Sequence, residues 1–98
     1  RLTEKYKLPI IVTENGVADA SDEKRQWWMT HTVAALGRAL TAGVDVRGYL
    51  HWSLLDNFEW DKGKWPRFGL VEVNYDTMER IIRPSGRRYG AMIKKVRN

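Results

Sequence analysis

The sequence predicts an α/β fold that belongs to a larger parallel-sheet architecture, and three observations carry the prediction. Ile10, Ile11, Val12 and Thr13 form a short run of branched side chains, the composition of a strand buried on both faces. A long amphipathic helix pattern follows, from about Asp22 to Thr41, and a second strand pattern, Val46 to His51, comes almost directly after it. Strand, long helix and strand in that order make a βαβ unit, whose crossover is right-handed and parallel in nearly every case. Both strands then end on one rim.

Arg1 to Lys7 reads as the last turns of a helix with Leu2 and Tyr6 on one side, and Pro9 ends it and starts the strand. The chain begins without methionine and inside an element, so a piece of a longer protein is expected and no export signal is observable. The first strand stops at Glu14, where Asn15-Gly16, a pair tolerant of positive φ, turns the chain away. In parallel α/β proteins, ligands and catalytic groups gather at the C-terminal ends of strands. Glu14 is therefore placed like a reactive group, and a glutamate that merely caps a turn is the competing reading.

Ser21 or Asp22 is suited to cap the long helix. Met29, Val33, Leu36 and Leu40 recur on one face, Trp28 and Ala39 widen the stripe, and Gly43 is the stop signal. Trp27 and Trp28 read as packing residues of this helix rather than as a ligand platform. The second strand ends in Trp52 and runs into Ser53-Leu54-Leu55-Asp56-Asn57-Phe58-Glu59-Trp60. Phe68 to Thr77 alternates and, with Met78 to Ile82, resembles a β-hairpin turning near Asn74 to Thr77. Pro84-Ser85-Gly86 begins a last helix whose apolar face holds Tyr89, Met92, Ile93 and Val96. This is too little to close a barrel, which takes eight βα units and ~250 residues.

Ninety-eight residues with 43% apolar content bury one small core at most. The absence of cysteine removes disulfides and thiolate metal sites and fits a reducing compartment. His31 and His51 are too few for a zinc site, so no metal or cofactor is expected. Seventeen basic and twelve acidic residues leave a net charge of +5, concentrated in Arg80, Arg83, Arg87, Arg88, Lys94, Lys95 and Arg97. That tail reads as the solvated face of a terminal helix; no recognised motif supports nucleic-acid binding. No apolar run approaches the ~20 residues needed to cross a bilayer, and a soluble, cytoplasmic protein without membrane contact is expected.

Trp52, Glu59 and Trp60 bring indole faces and a carboxylate together within nine residues. Sugars present C–H patches that pack on flat aromatics and hydroxyls that need rigid acceptors, which a carboxylate supplies. On spacing alone this reading stands level with another, that Trp60 and Trp65 simply cover a barrel end.

Pro9-Ile10-Ile11-Val12-Thr13-Glu14-Asn15-Gly16 and, further on, Gly48-Tyr49-Leu50-His51-Trp52-Ser53-Leu54-Leu55-Asp56-Asn57-Phe58-Glu59-Trp60 resemble the two C-terminal signatures of family 1 glycoside hydrolases, the retaining β-glucosidases and β-galactosidases. The likeness extends over essentially the whole chain, through Arg67-Phe68-Gly69-Leu70 and Arg83-Pro84-Ser85. Asp45-Val46-Arg47-Gly48 and Arg83-Pro84-Ser85 look closest to archaeal, thermophilic members. The resemblance implies that residues 1–98 are the C-terminal part of one (β/α)8 TIM barrel, about its last two βα units plus a β-hairpin. It implies that Glu14 is the catalytic nucleophile and Trp52 the platform under the sugar. Glu59 would accept from the O4 and O6 hydroxyls, Trp60 would donate to O3, and Phe68 would form a wall near C6. The implied substrates are β-linked oligosaccharides and aryl or alkyl glycosides.

The departure concerns mechanism. Retaining hydrolysis takes two carboxyl groups about 5–5.5 Å apart, and the family's acid/base lies in an Asn-Glu-Pro motif that this sequence lacks. A nucleophile held between aromatics also needs a partner to keep it ionised, and none is evident near Glu14. Two hypotheses follow: a segment active only with the remaining N-terminal part of the barrel, or an inactive stand-alone folding module with weak sugar affinity.

Overall fold

The computed structural model describes residues 1–97. In chain order these form helix α1 (Leu2–Tyr6), strand β1 (Ile10–Asn15), helix α2 (Glu23–Thr41), strand β2 (Val46–His51), a 3₁₀ turn (Trp60–Lys62), strands β3 (Val71–Val73) and β4 (Arg80–Ile82), and helix α3 (Pro84–Arg97). β1 pairs with β2 in parallel and β3 with β4 antiparallel, as the patterns predict. Among the described residues no helix is long and apolar enough to cross a membrane.

Helix α1 closes before Pro9, at Lys7, whose left-handed backbone (φ 51°) lets its N–H reach the Thr3 carbonyl at 2.9 Å. β1 runs two residues beyond the branched stretch, so Glu14 and Asn15 lie inside the strand and not after it. From the pair Val12–Tyr49 to the pair Asn15–His51, β1 advances three residues (12 to 15) while β2 advances two (49 to 51). One extra residue on one strand is a β-bulge, which re-aims side chains locally. Its mark is visible in burial: Val12 and Asn15 are half-buried, whereas Thr13 and Glu14 are both exposed. The expectation that both faces of β1 are covered fails within this chain, since Ile11 stands 58% exposed.

Of the two expected caps of α2, Ser21 accepts from the Glu23 N–H at a long 3.4 Å, while Asp22 does not cap. Asp22 takes a left-handed backbone (φ 67°) and makes no side-chain cap to its own helix. Asp19, three residues earlier, accepts from the N–H groups of Lys24 (2.8 Å) and Arg25 (3.3 Å) instead. Asp22 turns inward, where it accepts from the Ser85 N–H (2.8 Å), the Ser85 hydroxyl (2.6 Å) and Arg25 Nη1 (2.6 Å). It thus serves the free N–H groups at the start of α3 rather than those of α2. Arg25, fully buried, also donates to the carbonyls of Asp19 and Arg67. At the far end Gly43, in the left-handed region at φ 86°, stops the helix as predicted.

Beyond β2 the chain lies along the segment that leads into the hairpin. Ser53 N–H donates to the Phe68 carbonyl (3.2 Å), Leu70 N–H to Ser53 (2.9 Å), and Val71 N–H to Leu54 (2.9 Å). Asp56 sits beneath this ladder. Its carboxylate accepts from both Arg83 Nη atoms (2.9 and 3.1 Å), from Arg67 (3.3 Å) and from the N–H groups of Gly69 (2.9 Å) and Val73 (3.2 Å). Burial alone would raise the Asp56 pKa; the Arg83 guanidinium and the two N–H groups outweigh it and hold the carboxyl below its ordinary value. Arg83 is therefore a buried ion-pair partner and not part of a solvated basic face. Gly69 is glycine for lack of room, because a Cβ there would meet Asp56 N at 2.3 Å. The hairpin turn is held by Asn74, whose side-chain oxygen accepts from the N–H groups of Asp76 and Thr77.

Among the described residues, the buried apolar side chains are Met29, Pro66, Leu70 and Val73, while Asp22, Arg25, Ser53, Asp56, Arg83 and Ser85 are buried polar ones. The predicted stripe of α2 is buried at Met29, half-buried at Val33 and Leu36, and 53% exposed at Leu40.

Candidate active site

The bulge brings Glu14 and Trp52 to one rim. They flank the paired residues Asn15 and His51, and the Trp52 N–H donates to the Asn15 carbonyl at 2.8 Å. Both side chains are exposed there, Trp52 at 37%. Gly16 does not take positive φ, contrary to the turn expected from Asn-Gly. Its constraint is proximity: a Cβ would lie 1.8 Å from the Trp52 carbonyl oxygen. Glycine here lets the end of one strand pass against the other.

Asn15 does more than end a strand. Its side-chain oxygen accepts from Trp28 Nε1 (2.9 Å) and the Tyr49 hydroxyl (3.1 Å), with Thr32 Oγ1 a weaker contact at 3.5 Å. One amide thereby ties β1 to α2 and to β2. Burial, helped by the nearby Tyr89, pushes the Tyr49 pKa up to about 12, so the phenol remains a neutral donor. Burial, with Arg25 adding to it, lowers the His51 pKa, and the buried Nε2 of that ring has no hydrogen-bond partner. Trp28 and Thr32, four apart on one helical face, were the sequence signal for a shared polar partner. Trp27 instead stands 60% exposed, stacked on His31 at 4.1 Å, so only Trp28 of the pair reaches the interior contacts.

The other candidates lie beyond β2, in the stretch 59–68. Phe68 is half-buried, and its carbonyl accepts from Ser53, the neighbour of Trp52. Glu59 is half-buried; its N–H bonds the Gly63 carbonyl (2.8 Å) and its carboxylate accepts from Asn57 Nδ2 at 2.7 Å. Trp60 has a left-handed backbone (φ 47°) and is 83% exposed, and Trp65 is 73% exposed. Both indoles are thus largely open to solvent among the described residues. No cation among those residues lies within ion-pair distance of Glu14. Among the described residues no group of three His, Asp or Glu side chains converges to hold a metal.

Parallel strands that end on one rim, with the helices carried on their flank, are the arrangement of a segment of an α/β barrel. The chain belongs to glycosyl hydrolase family 1, whose sequence profile matches residues 1–98. It is 49% identical over 85 residues to a β-galactosidase of Sulfolobus acidocaldarius, covering 87% of this chain and 17% of that protein. It is 45% identical over 94 residues to β-glucosidase 47 of Arabidopsis thaliana, covering 89% and 18%. The solved hyperthermophilic β-glucosidase of Pyrococcus furiosus superposes with a TM-score of 0.93 at 46% identity, covering 96% of this chain and 20% of that one. The chain thus spans about a fifth of the length of these relatives, and its fold is the C-terminal part of a (β/α)8 barrel.

Proposed function

We propose that this segment supplies the nucleophile and part of the glycone-binding wall of a retaining β-glycosidase acting on β-glucosides and β-galactosides. The observation that carries the reading is the bulge, which leaves Glu14 exposed beside Trp52 while Asn15 is engaged behind it. A Glu14 carboxylate oxygen attacks the anomeric carbon as the bond to the aglycone oxygen breaks, and that oxygen takes the proton of a second carboxylic acid. Water then attacks the same carbon, gives its proton to the second carboxylate, and releases Glu14. Trp52 stacks on the sugar, Glu59 accepts from O4 and O6, Trp60 donates to O3, and Phe68 bounds the pocket near C6.

Glu59 is engaged by Asn57 and matched to substrate binding, so the acid/base is assigned to the remainder of the barrel. Residues 1–98 are on this reading one end of a single barrel domain, inactive alone. Exposed Ile11 (58%), Leu50 (58%) and Leu54 (67%) support that view, since apolar side chains at strand edges call for neighbouring elements.

In the intact barrel enzyme, Glu14→Gln is expected to lower kcat by at least about a thousandfold with the unfolding temperature retained. A 2-fluoro glycoside inactivator is expected to add one glycosyl mass to the peptide holding Glu14. Labelling elsewhere, or near wild-type turnover by the variant, would remove the assignment. Glycoside hydrolysis by a folded monomer of 11.5 kDa would remove the need for the rest of the barrel.

A further inference from the structure

We infer that Asn57 is a positioning residue for Glu59 and sets how strongly the site discriminates substrates by the hydroxyls at C4 and C6. The inference rests on the proposed reading of Glu59 as the acceptor of those hydroxyls. Asn57 Nδ2 donates to Glu59 Oε2 at 2.7 Å, the carboxylate's single hydrogen bond among the described residues. An ionised carboxylate only accepts, so the amide must turn its nitrogen toward it. The amide oxygen faces the Ser53 hydroxyl at 3.4 Å. Ser53 is itself buried, with its hydroxyl on the Leu55 carbonyl (2.7 Å) and its N–H on Phe68. The single hydroxyl proton of Ser53 goes to Leu55, so its approach to Asn57 is a packing contact and not a second hydrogen bond.

The chemistry of the donor matters. Among the described residues no Lys or Arg pairs with Glu59. A cation would neutralise the carboxylate and compete with a sugar for it. A neutral amide fixes one oxygen, leaves the charge in place, and keeps the lone pairs of Oε1 open to hydroxyl donors. Without the amide, Glu59 regains side-chain torsional freedom that each binding event must remove. The loss then falls on substrates that use Glu59 and spares those that do not.

The test compares kcat and KM for an aryl β-glucoside and its 4,6-dideoxy analogue in the intact barrel enzyme, for Asn57→Ala, Asn57→Asp, Glu59→Ala and the Asn57→Ala/Glu59→Ala double variant. Asn57→Ala is expected to lower kcat/KM for the glucoside roughly tenfold, mainly through KM, with little change for the 4,6-dideoxy substrate. Asn57→Asp, which keeps the size and replaces the donor by a like charge, is expected to collapse the preference at least as far. The double variant is expected to match Glu59→Ala alone. If Glu59→Ala removes the preference while both Asn57 variants keep it, the role of Asn57 is overturned and that of Glu59 stands. If Glu59→Ala leaves the preference intact, both fall. An equal loss on the two substrates in both Asn57 variants would make Asn57 structural and overturn the inference.

Discussion

Around Asp56 every strong polar group finds its partner inside the chain: two guanidinium groups and two backbone N–H groups meet one carboxylate. At the rim of β1 and β2 the opposite holds. Glu14 has no ion-pair partner among the described residues, Trp60 is 83% exposed, and Glu59 keeps one oxygen unengaged. A buried charge is tolerable only when fully paired, whereas a group that is to meet substrate must arrive with bonding capacity left over. On the proposed reading, the contrast separates the part of the molecule that holds shape from the part that would meet a ligand. Asn15 sits at the seam, its side chain engaged inward and its carbonyl holding Trp52 in place.

That division can be broken most forcibly at Asp56. Asp56→Ala strands Arg83 and two N–H groups in a buried setting and is expected to cost about 3–5 kcal/mol in denaturant unfolding of the intact enzyme. A cost below about 1 kcal/mol would mean the cluster is a surface-like ion pair, and the contrast would dissolve. At the rim, Gly16→Ala must move the Trp52 backbone, since the added methyl would sit 1.8 Å from its carbonyl oxygen. The expected stability cost is about 1–3 kcal/mol, with a proportionally larger fall in kcat/KM. Unchanged kinetics in that variant would show that the position of Trp52 is not held by this contact.

The smallest effect is in pH. The His51 pKa is depressed below 6.5 in the fold and the Asp56 pKa below 3.8. Each therefore contributes stability that is present above its unfolded value and lost as pH falls through its folded value. The two windows do not coincide. On acidification, the protection factors of the Tyr49 and His51 amides, after correction for the intrinsic rate, are expected to fall below about pH 6.5, while the N–H groups of Gly69 and Val73 keep theirs until below about pH 3.8. Simultaneous loss of protection would mean the two regions open as one unit.

Periodicity and turn chemistry made most of the fold legible. The branched run of β1, the stripe and glycine stop of α2, the hairpin turn at Asn74 and the proline start of α3 are local features, each written within a few residues. The buried polar contacts were not legible, because a pair such as Asp22 and Ser85, or Asp56 and Arg83, joins distant residues that no period connects. Arg83 consequently looked like one more base in a basic tail, and Asp22 like the cap of the helix beside it. At the site, the motif gave Glu14 and Trp52 their place, but not the bulge that separates Glu14 from Asn15, since one surplus residue on a strand shows only against its partner. The steric reason for Gly16 was hidden for the same cause: it lies in the residue that follows the neighbouring strand.

The bond from Ser85 to Asp22 spans sixty-three positions, and it bears on how this end of the protein is made. As the polypeptide leaves the ribosome, Asp22 and Arg25 emerge long before Ser85 exists to enclose them. The carboxylate that completes the final helix waits at the start of the first long one. A nascent chain stopped short of residue 84 would keep both strands in sequence yet leave that acid and its guanidinium facing water, so the closing helix is needed to finish what the early residues begin.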